Sequence, residues 1–215
     1  YHWDAFKTLT HKAYLHLDNI YHSPYVLEYW GIRHGLPFIA ELYRQGKRGE
    51  DPVITYKRLN SLGQKEFCNE MFDACRHFVN WDFKRVWKET RPYANQYTCK
   101  MNPSKEGWYR VAPENCPENY GFNAVPLSVP QPGSAVEVGL QFRPPGESRL
   151  EIRFCRCHSG RKIRLRGNGK QHERSGEVYC SQGCTVGLLV VGCHGGPDGT
   201  LDESHIRGKR CTMAL

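Results

Sequence analysis

No apolar run in this sequence approaches the roughly 18 residues a helical membrane span requires, so no such span is visible. No secretory leader is recognisable and no Met stands at the start; the chain begins at Tyr1, inside what reads as a helical pattern. That abrupt start reads as an internal or C-terminal fragment, with any targeting signal left outside it. There is no Asn-x-Ser/Thr acceptor for N-glycosylation, no HExxH and no phosphate-binding loop. Gly167-Asn168-Gly169-Lys170 has neither the loop spacing nor the Ser or Thr that should follow it.

Aromatic residues run out before the chain does. All five Trp, eleven of twelve Tyr and eight of nine Phe lie at or before Phe142. Only Phe154 and Tyr179 follow, too few large apolar anchors to organise a core. Cysteine is distributed the other way: six of ten (Cys155, Cys157, Cys180, Cys184, Cys193, Cys211) come after Arg143. The net charge of +8 is uneven too, with 17 Lys+Arg against 15 Asp+Glu in residues 1–142, and 13 against 7 in residues 143–215. A basic balance suggests a polyanion partner, but here it belongs mostly to the last third. At 215 residues there is room for one or two domains.

The first part of the chain carries helical signals. Over residues 4–17, Phe6, Leu9, Ala13 and Leu17 recur at helical spacing. Ser23-Pro24 supplies a cap followed by proline at the first helical position, and Gly35 is placed to stop that helix. Pro37 opens a second helix with Phe38, Ile39 and Leu42 inward. Asp51-Pro52 repeats the cap-plus-proline signal. After Ser61, the residues Phe67, Met71, Ala74, Cys75 and Phe78 form one apolar stripe. Phe83, Val86 and Trp87 carry the helical pattern toward Arg91-Pro92.

The period then changes. Gly107 to Val111 reads as a short strand, residues 113–123 are turn-rich, and AVPLSVP and SAVEVGLQF alternate as strands around Pro132-Gly133. A β domain therefore starts near 107 and should continue for several strands. Beyond Arg143, only EIRF and VGLLVV read as strands.

Few residues assemble into chemistry. Cys155-x-Cys157-His158 with Cys180 and Cys184 invites a zinc reading, but the first spacing is not C-x2-C and no second half fits a ribbon. RKIRLRGNGKQHER is basic but lacks interleaved aromatics for base stacking. His11 and His16, five apart, do not share a helix face. Glu28 and Glu41 are acids by type, with surface or capping roles the simpler reading. Cys68 and Cys75 share a helix face but stand about 10.5 Å apart along its axis, too far to bond, and read as small core residues. Cys99 and Cys116 flank the change from helices to strands and are a candidate disulfide if the protein is exported.

Four stretches carry a family resemblance: SPYVLEYWGIRHGLPFIAELYRQGKRGEDPVITYKRL, FCNEMFDACRHFVNWDFKRV, YANQYTCKMN and CPENYGFNAVPLSVPQPGS. They resemble an uncharacterised family of secreted bacterial proteins, catalogued as a domain of unknown function. That family is similar to zinc metallopeptidases of the gluzincin type, with a helical domain carrying a His-rich metal helix followed by a β-sandwich. The resemblance covers nearly all of residues 1–142 and is most specific in EDPVxTYKRL and CPENYGxN.

The resemblance also implies strands that the tail does not spell. Read one nucleotide later, however, the tail's codons can spell them. Arg149 to His158 can encode GWRYGFVAVT, and Arg161 to Asn168 can encode GKSAYGEM. Val178 to Ser181 can give FTVP, His194 to Leu201 MGAPTEHW, and Arg210 to Ala214 DAQWP. One offset serves all five landmarks in order, which places a slip of the reading frame close to Arg143.

The expected fold is α+β: an all-helical unit, then an incomplete antiparallel β-sandwich and a poorly ordered tail. The expected divisions are 1–98 (helical, the C-terminal part of a metallopeptidase-like domain), 99–142 (start of the sandwich) and 143–215 (frame-shifted tail). The resemblance implies a fragment of a secreted metallopeptidase-like protein, extracellular or periplasmic or at the cell surface, with host or dietary glycoprotein or glycan as partner. In that family the zinc helix lies upstream of the matching part, so no catalytic, cofactor or metal residue is carried over, and zinc belongs to the parent. The fragment is expected to be inactive and not to bind nucleic acid. The alternative is a non-enzymatic extracellular module that binds carbohydrate or protein. A basic nucleic-acid binder would require a real tail and a steep salt dependence.

Overall fold

The structure, a computed structural model, describes residues 6–18, 25–94, 99–104, 108–118, 120–127, 135–143, 149–156, 164–166, 173–179, 186–193 and 212–214. Side-chain surroundings are described as far as Val125. The segment expected as a helix over 4–17 is, from Phe6 to Asp18, mostly a run of tight turns. The amides of Leu9, Lys12 and His16 each donate to the carbonyl three residues back, at 2.9–3.0 Å. The reason lies in where the other backbone groups go. The carbonyls of Thr10 and His11 accept from the amides of Phe122 (2.7 Å) and Glu118 (2.8 Å). The Ala13 amide donates to Glu118 Oε2 at 2.9 Å. Groups spent on another segment are not available to a helical ladder. Phe6 and Ala13 are still buried, whereas Leu17 is 65% exposed.

Four helices follow the sequence signals closely. Helix α1 spans Tyr25–His34 and stops at Gly35, whose φ of 88° is a conformation glycine adopts without strain. The Ser23-Pro24 signal before it lies outside the described residues. Helix α2 spans Leu36–Arg44 with Leu42 buried and Phe38 and Ile39 partly so. Helix α3 spans Pro52–Leu59, and Asp51 caps it by accepting from the Ile54 amide at 2.8 Å. Helix α4 spans Gln64–Asn80 and buries the whole expected stripe. Trp81, at φ 50°, turns the chain out of α4. The helical pattern expected from Phe83 onward is realised only as a short α5 (Trp87–Thr90) and one 3-10 turn (Arg91–Tyr93).

The core is aromatic. Trp30 stacks on Tyr56 with ring centres 4.0 Å apart and planes 9° from parallel. Phe6, Tyr25, Phe78 and Trp81 pack edge-on or tilted around one another. Each such ring fully removed from water contributes about 2–3 kcal/mol. Tyr120 and Phe122 belong to the same cluster, so the strand that begins at Phe122 is seated on the helical core.

Strands β1 (Met101–Pro103) and β2 (Tyr109–Val111) pair antiparallel, Met101 opposite Val111. The β region therefore opens at Met101, earlier than 107. A three-residue strand ending in proline shows no alternation, and an edge position tolerates that proline. The other described strands are β3 (Phe122–Leu127), β4 (Ala135–Arg143), β5 (Arg149–Arg156), β6 (Arg164–Arg166), β7 (Glu173–Tyr179), β8 (Val186–Cys193) and β9 (Thr212–Ala214). They form two antiparallel sheets, β1-β2-β9-β4-β7-β6 and β3-β8-β5. Strands β3 and β4, which flank Pro132-Gly133, therefore lie in different sheets. EIRF and VGLLVV fall inside β5 and β8; β6, β7 and β9 show no alternation, and a ladder needs only the backbone groups every residue carries. Side-chain packing after 143 lies outside the described residues. The fold is α+β, helices first and antiparallel strands after.

Candidate functional site

The side chains best placed for chemistry sit where α1, α3 and α4 meet. Glu70 projects from α4 with its side chain only 5% exposed. A buried carboxylate is costly unless paired. Here the Tyr56 hydroxyl donates to Oε1, and the Arg33 guanidinium stands 3.6 Å from Oε2. Tyr56 Oη lies 2.7 Å from His34 Nε2, which is placed to donate to it. The result is a chain of hydrogen bonds from an exposed imidazole to a buried carboxylate. Burial, then the Glu70 carboxylate, pushes the Tyr56 hydroxyl well above its ordinary range. Desolvation lowers the His34 imidazole, with Glu70 opposing and Arg33 adding.

A second network continues along α4. The Tyr29 hydroxyl donates to Asp73 Oδ2 at 2.9 Å, and Arg76 reaches Asp73 Oδ1 at 2.8 Å. His77 pairs with Asp82. Burial raises Tyr29, with Asp73 adding. The groups of the two networks use each other as partners and together join α1, α3 and α4. The sequence pattern did not single out Glu70. The available signal was its position: three residues after Phe67 and four before Ala74, an acid standing on the apolar stripe of α4.

The residues weighed from sequence are placed as follows. Glu28 meets the Arg85 guanidinium across 57 residues of chain, with Nε at 2.8 Å from Oε1. Glu41 pairs with Arg44 and Gln45 on the same helix surface, both at 2.7 Å. His11 is buried, 3.3 Å from the Asn115 amide nitrogen, and burial lowers its pKa. His16 accepts from the Asp18 amide at 3.0 Å. Cys68 and Cys75 are buried on α4. Among the described residues no three His, Cys, Asp or Glu are grouped to hold a metal ion. Cys157, His158, Cys180 and Cys184 lie outside the described residues.

Cys99 is half-buried immediately before β1, and Cys116 is buried just after the 3-10 turn that follows β2. Burial, and after it the neighbouring Cys116, pushes the Cys99 thiol up to about 12.

The specific motifs have architectural duties. In EDPVxTYKRL, Glu50 binds Arg58 through Oε1 (2.8 Å) and Oε2 (2.7 Å), Asp51 caps α3, and Tyr56 is fully buried. In CPENYGxN, Glu118 takes the Ala13 amide and the Lys12 ammonium. Gly121 lies so close to the turn at His11 that a Cβ there would stand 2.2 Å from the His11 carbonyl oxygen. Asn123, buried, donates to the Asn115 carbonyl at 2.7 Å.

Fold and site together define an α+β protein whose most family-specific residues lock its N-terminal turns, helices and the strand β3 onto one core. The chain belongs to the family described as "Family of unknown function (DUF6055)", whose model matches residues 1–146. No curated protein and no solved structure matches it.

Proposed function

We propose that this chain is part of an extracellular metallopeptidase-like protein that acts on glycoprotein, in which residues 1–142 serve as scaffold and supply no catalytic or zinc-binding side chain. The divisions 1–98, 99–142 and 143–215 go with this reading. The observation that carries it is where the reactive side chains are spent. Glu28, Glu50, Glu70 and Glu118 each have a cationic partner within the fold. The motif residues Asp51 and Gly121 serve a cap and a close backbone contact. A domain built this way positions its neighbours. Metal and peptidase chemistry then belong to other parts of the parent.

The test compares the 215-residue chain with the protein encoded by its whole gene, measuring zinc by elemental analysis and hydrolysis of a glycoprotein substrate. Zinc and hydrolysis in the whole-gene protein alone are expected. Stoichiometric zinc or hydrolysis in the 215-residue chain would overturn the proposal. A whole-gene protein with neither, but with glycan or protein binding, would establish the non-enzymatic module instead.

The same reading includes a slip of frame near Arg143. It is supported by the ordered offset reading of the tail, by the loss of aromatics there, and by a family match that ends at residue 146. Nucleotide sequence across codons 135–160 tests it. An intact frame with ordinary codon usage in the tail would sink it.

A further inference from the structure

We infer that Cys99 and Cys116 form a disulfide that fastens the β1–β2 hairpin to the turn following it. The inference stands first on register. Met101 lies opposite Val111, and the Ala112 amide donates to the Lys100 carbonyl at 2.9 Å, so the ladder runs one pair beyond β1. Cys99 directly precedes Lys100, and Pro113 directly follows Ala112, at this end of the hairpin. Pro113 begins the 3-10 turn Pro113–Asn115, and the Cys116 amide donates to the Pro113 carbonyl at 3.3 Å. That bond folds Cys116 back toward Pro113, since residues three apart eclipse in this geometry. The hairpin and turn therefore bring the two cysteines to the same end of the β1–β2 pair, where both stand as free thiols in this structure.

Two further observations agree. Cys99 lines a shallow cleft with Tyr93, Phe122 and Ala124, so it faces the protein rather than open solvent. Burial raises its thiol, and the nearby Cys116 adds to that rise. Cys68 and Cys75 are fixed seven residues apart on α4 and serve as an internal control.

Formation is by exchange with a disulfide donor such as oxidised glutathione or a thiol oxidoreductase. One cysteine gives up its proton and attacks the donor, forming a mixed disulfide and releasing one donor thiol. The second cysteine, also deprotonated, displaces the remaining donor half. Two electrons pass to the donor, which leaves as two thiols, and one new S–S bond remains.

The presence of an oxidising compartment rests on the extracellular reading above, so the experiment separates the two. The purified full chain is refolded in oxidised and reduced glutathione, alkylated without reduction, and mapped by mass spectrometry. A peptide pair joining Cys99 to Cys116 is expected, with Cys68 and Cys75 alkylated after unfolding. Dithiothreitol should lower the thermal midpoint by about 5 °C or more and leave Cys99→Ala and Cys116→Ala unchanged. Alkylation of both cysteines, or pairing of either with a tail cysteine, overturns the inference. If the bond forms in glutathione but is absent from protein recovered from the producing cells, the extracellular reading fails and the pairing stands.

Discussion

At the scale of single residues, Gly121 decides whether two distant segments meet. A methyl group there would sit 2.2 Å from the His11 carbonyl oxygen, 2.6 Å from its carbon and 2.8 Å from the Lys12 carbonyl oxygen. All three are backbone atoms and cannot rotate away. Gly121→Ala should cost at least about 3 kcal/mol, an overpacking penalty combined with the loss of the bonds between residues 10–13 and 118–122. Urea denaturation followed by tryptophan fluorescence measures it. A cost below about 1 kcal/mol would mean the two segments are not so docked. His11 at the same contact makes a pH-dependent contribution. Burial lowers its pKa, and its unprotonated Nδ1 lies 3.3 Å from the Asn115 amide. The unfolded chain takes up a proton near pH 6.5 that the folded protein takes up only at lower pH. Stability attributable to His11 should therefore be full above about pH 6.5, fall as pH drops toward the folded value, and level off below it. Urea midpoints across this range should show the loss, and His11→Gln should leave only the share from His34. An undiminished loss in that variant would remove His11 from the account.

At the scale of elements, the legible parts were those governed by local rules. Asp51-Pro52 marked the start of α3, Gly35 the end of α1, and the spacing of Phe67, Met71, Ala74, Cys75 and Phe78 the inward face of α4. Each is settled within a few residues by capping or periodicity. Asp51→Ala should accordingly cost about 1 kcal/mol and Asp51→Asn a few tenths, read from urea midpoints. The turns at Phe6–Asp18 were not legible, because the partners that dissolve the expected helix stand more than a hundred residues later, at Glu118 and Phe122. The Glu70 network was hidden for the same reason: its partners come from α1 and α3, and nothing in local spacing pairs Glu70 with Tyr56. Glu70→Ala should destabilise by about 3 kcal/mol, since it leaves the Tyr56 hydroxyl with His34 alone, takes the carboxylate from Arg33 and opens a cavity, whereas Tyr56→Phe leaves a buried carboxylate short of its donor. The double variant Tyr56→Phe/Glu70→Ala should cost less than the sum of the single changes by about 1 kcal/mol or more. Simple additivity would show that the two groups do not act as a pair.

At the scale of the whole molecule, the question is whether the residues after Arg143 can complete what precedes them. Strand β3 is seated on the helical core and pairs with β8, six residues in register, so the sheet depends on the tail for its closure. An unpaired strand resting on that core would present an open edge. The tail as written has Phe154 and Tyr179 as its only aromatics and a surplus of basic charge, a poor composition for covering an apolar face. The offset reading changes that composition: over residues 149–158 it replaces RLEIRFCRCH by GWRYGFVAVT, which removes two cysteines, reduces three arginines to one and adds a Trp, a Tyr and small residues. A chain re-encoded one nucleotide later from codon 143 should therefore unfold in a single cooperative transition, with a higher urea midpoint and a steeper dependence on urea, because more surface is buried on folding. The chain as given should unfold with a shallower slope at lower urea. Tryptophan fluorescence and near-ultraviolet circular dichroism would follow both. Equal slopes and midpoints would mean that the tail already supplies a full complement of core, and the frame reading would fall.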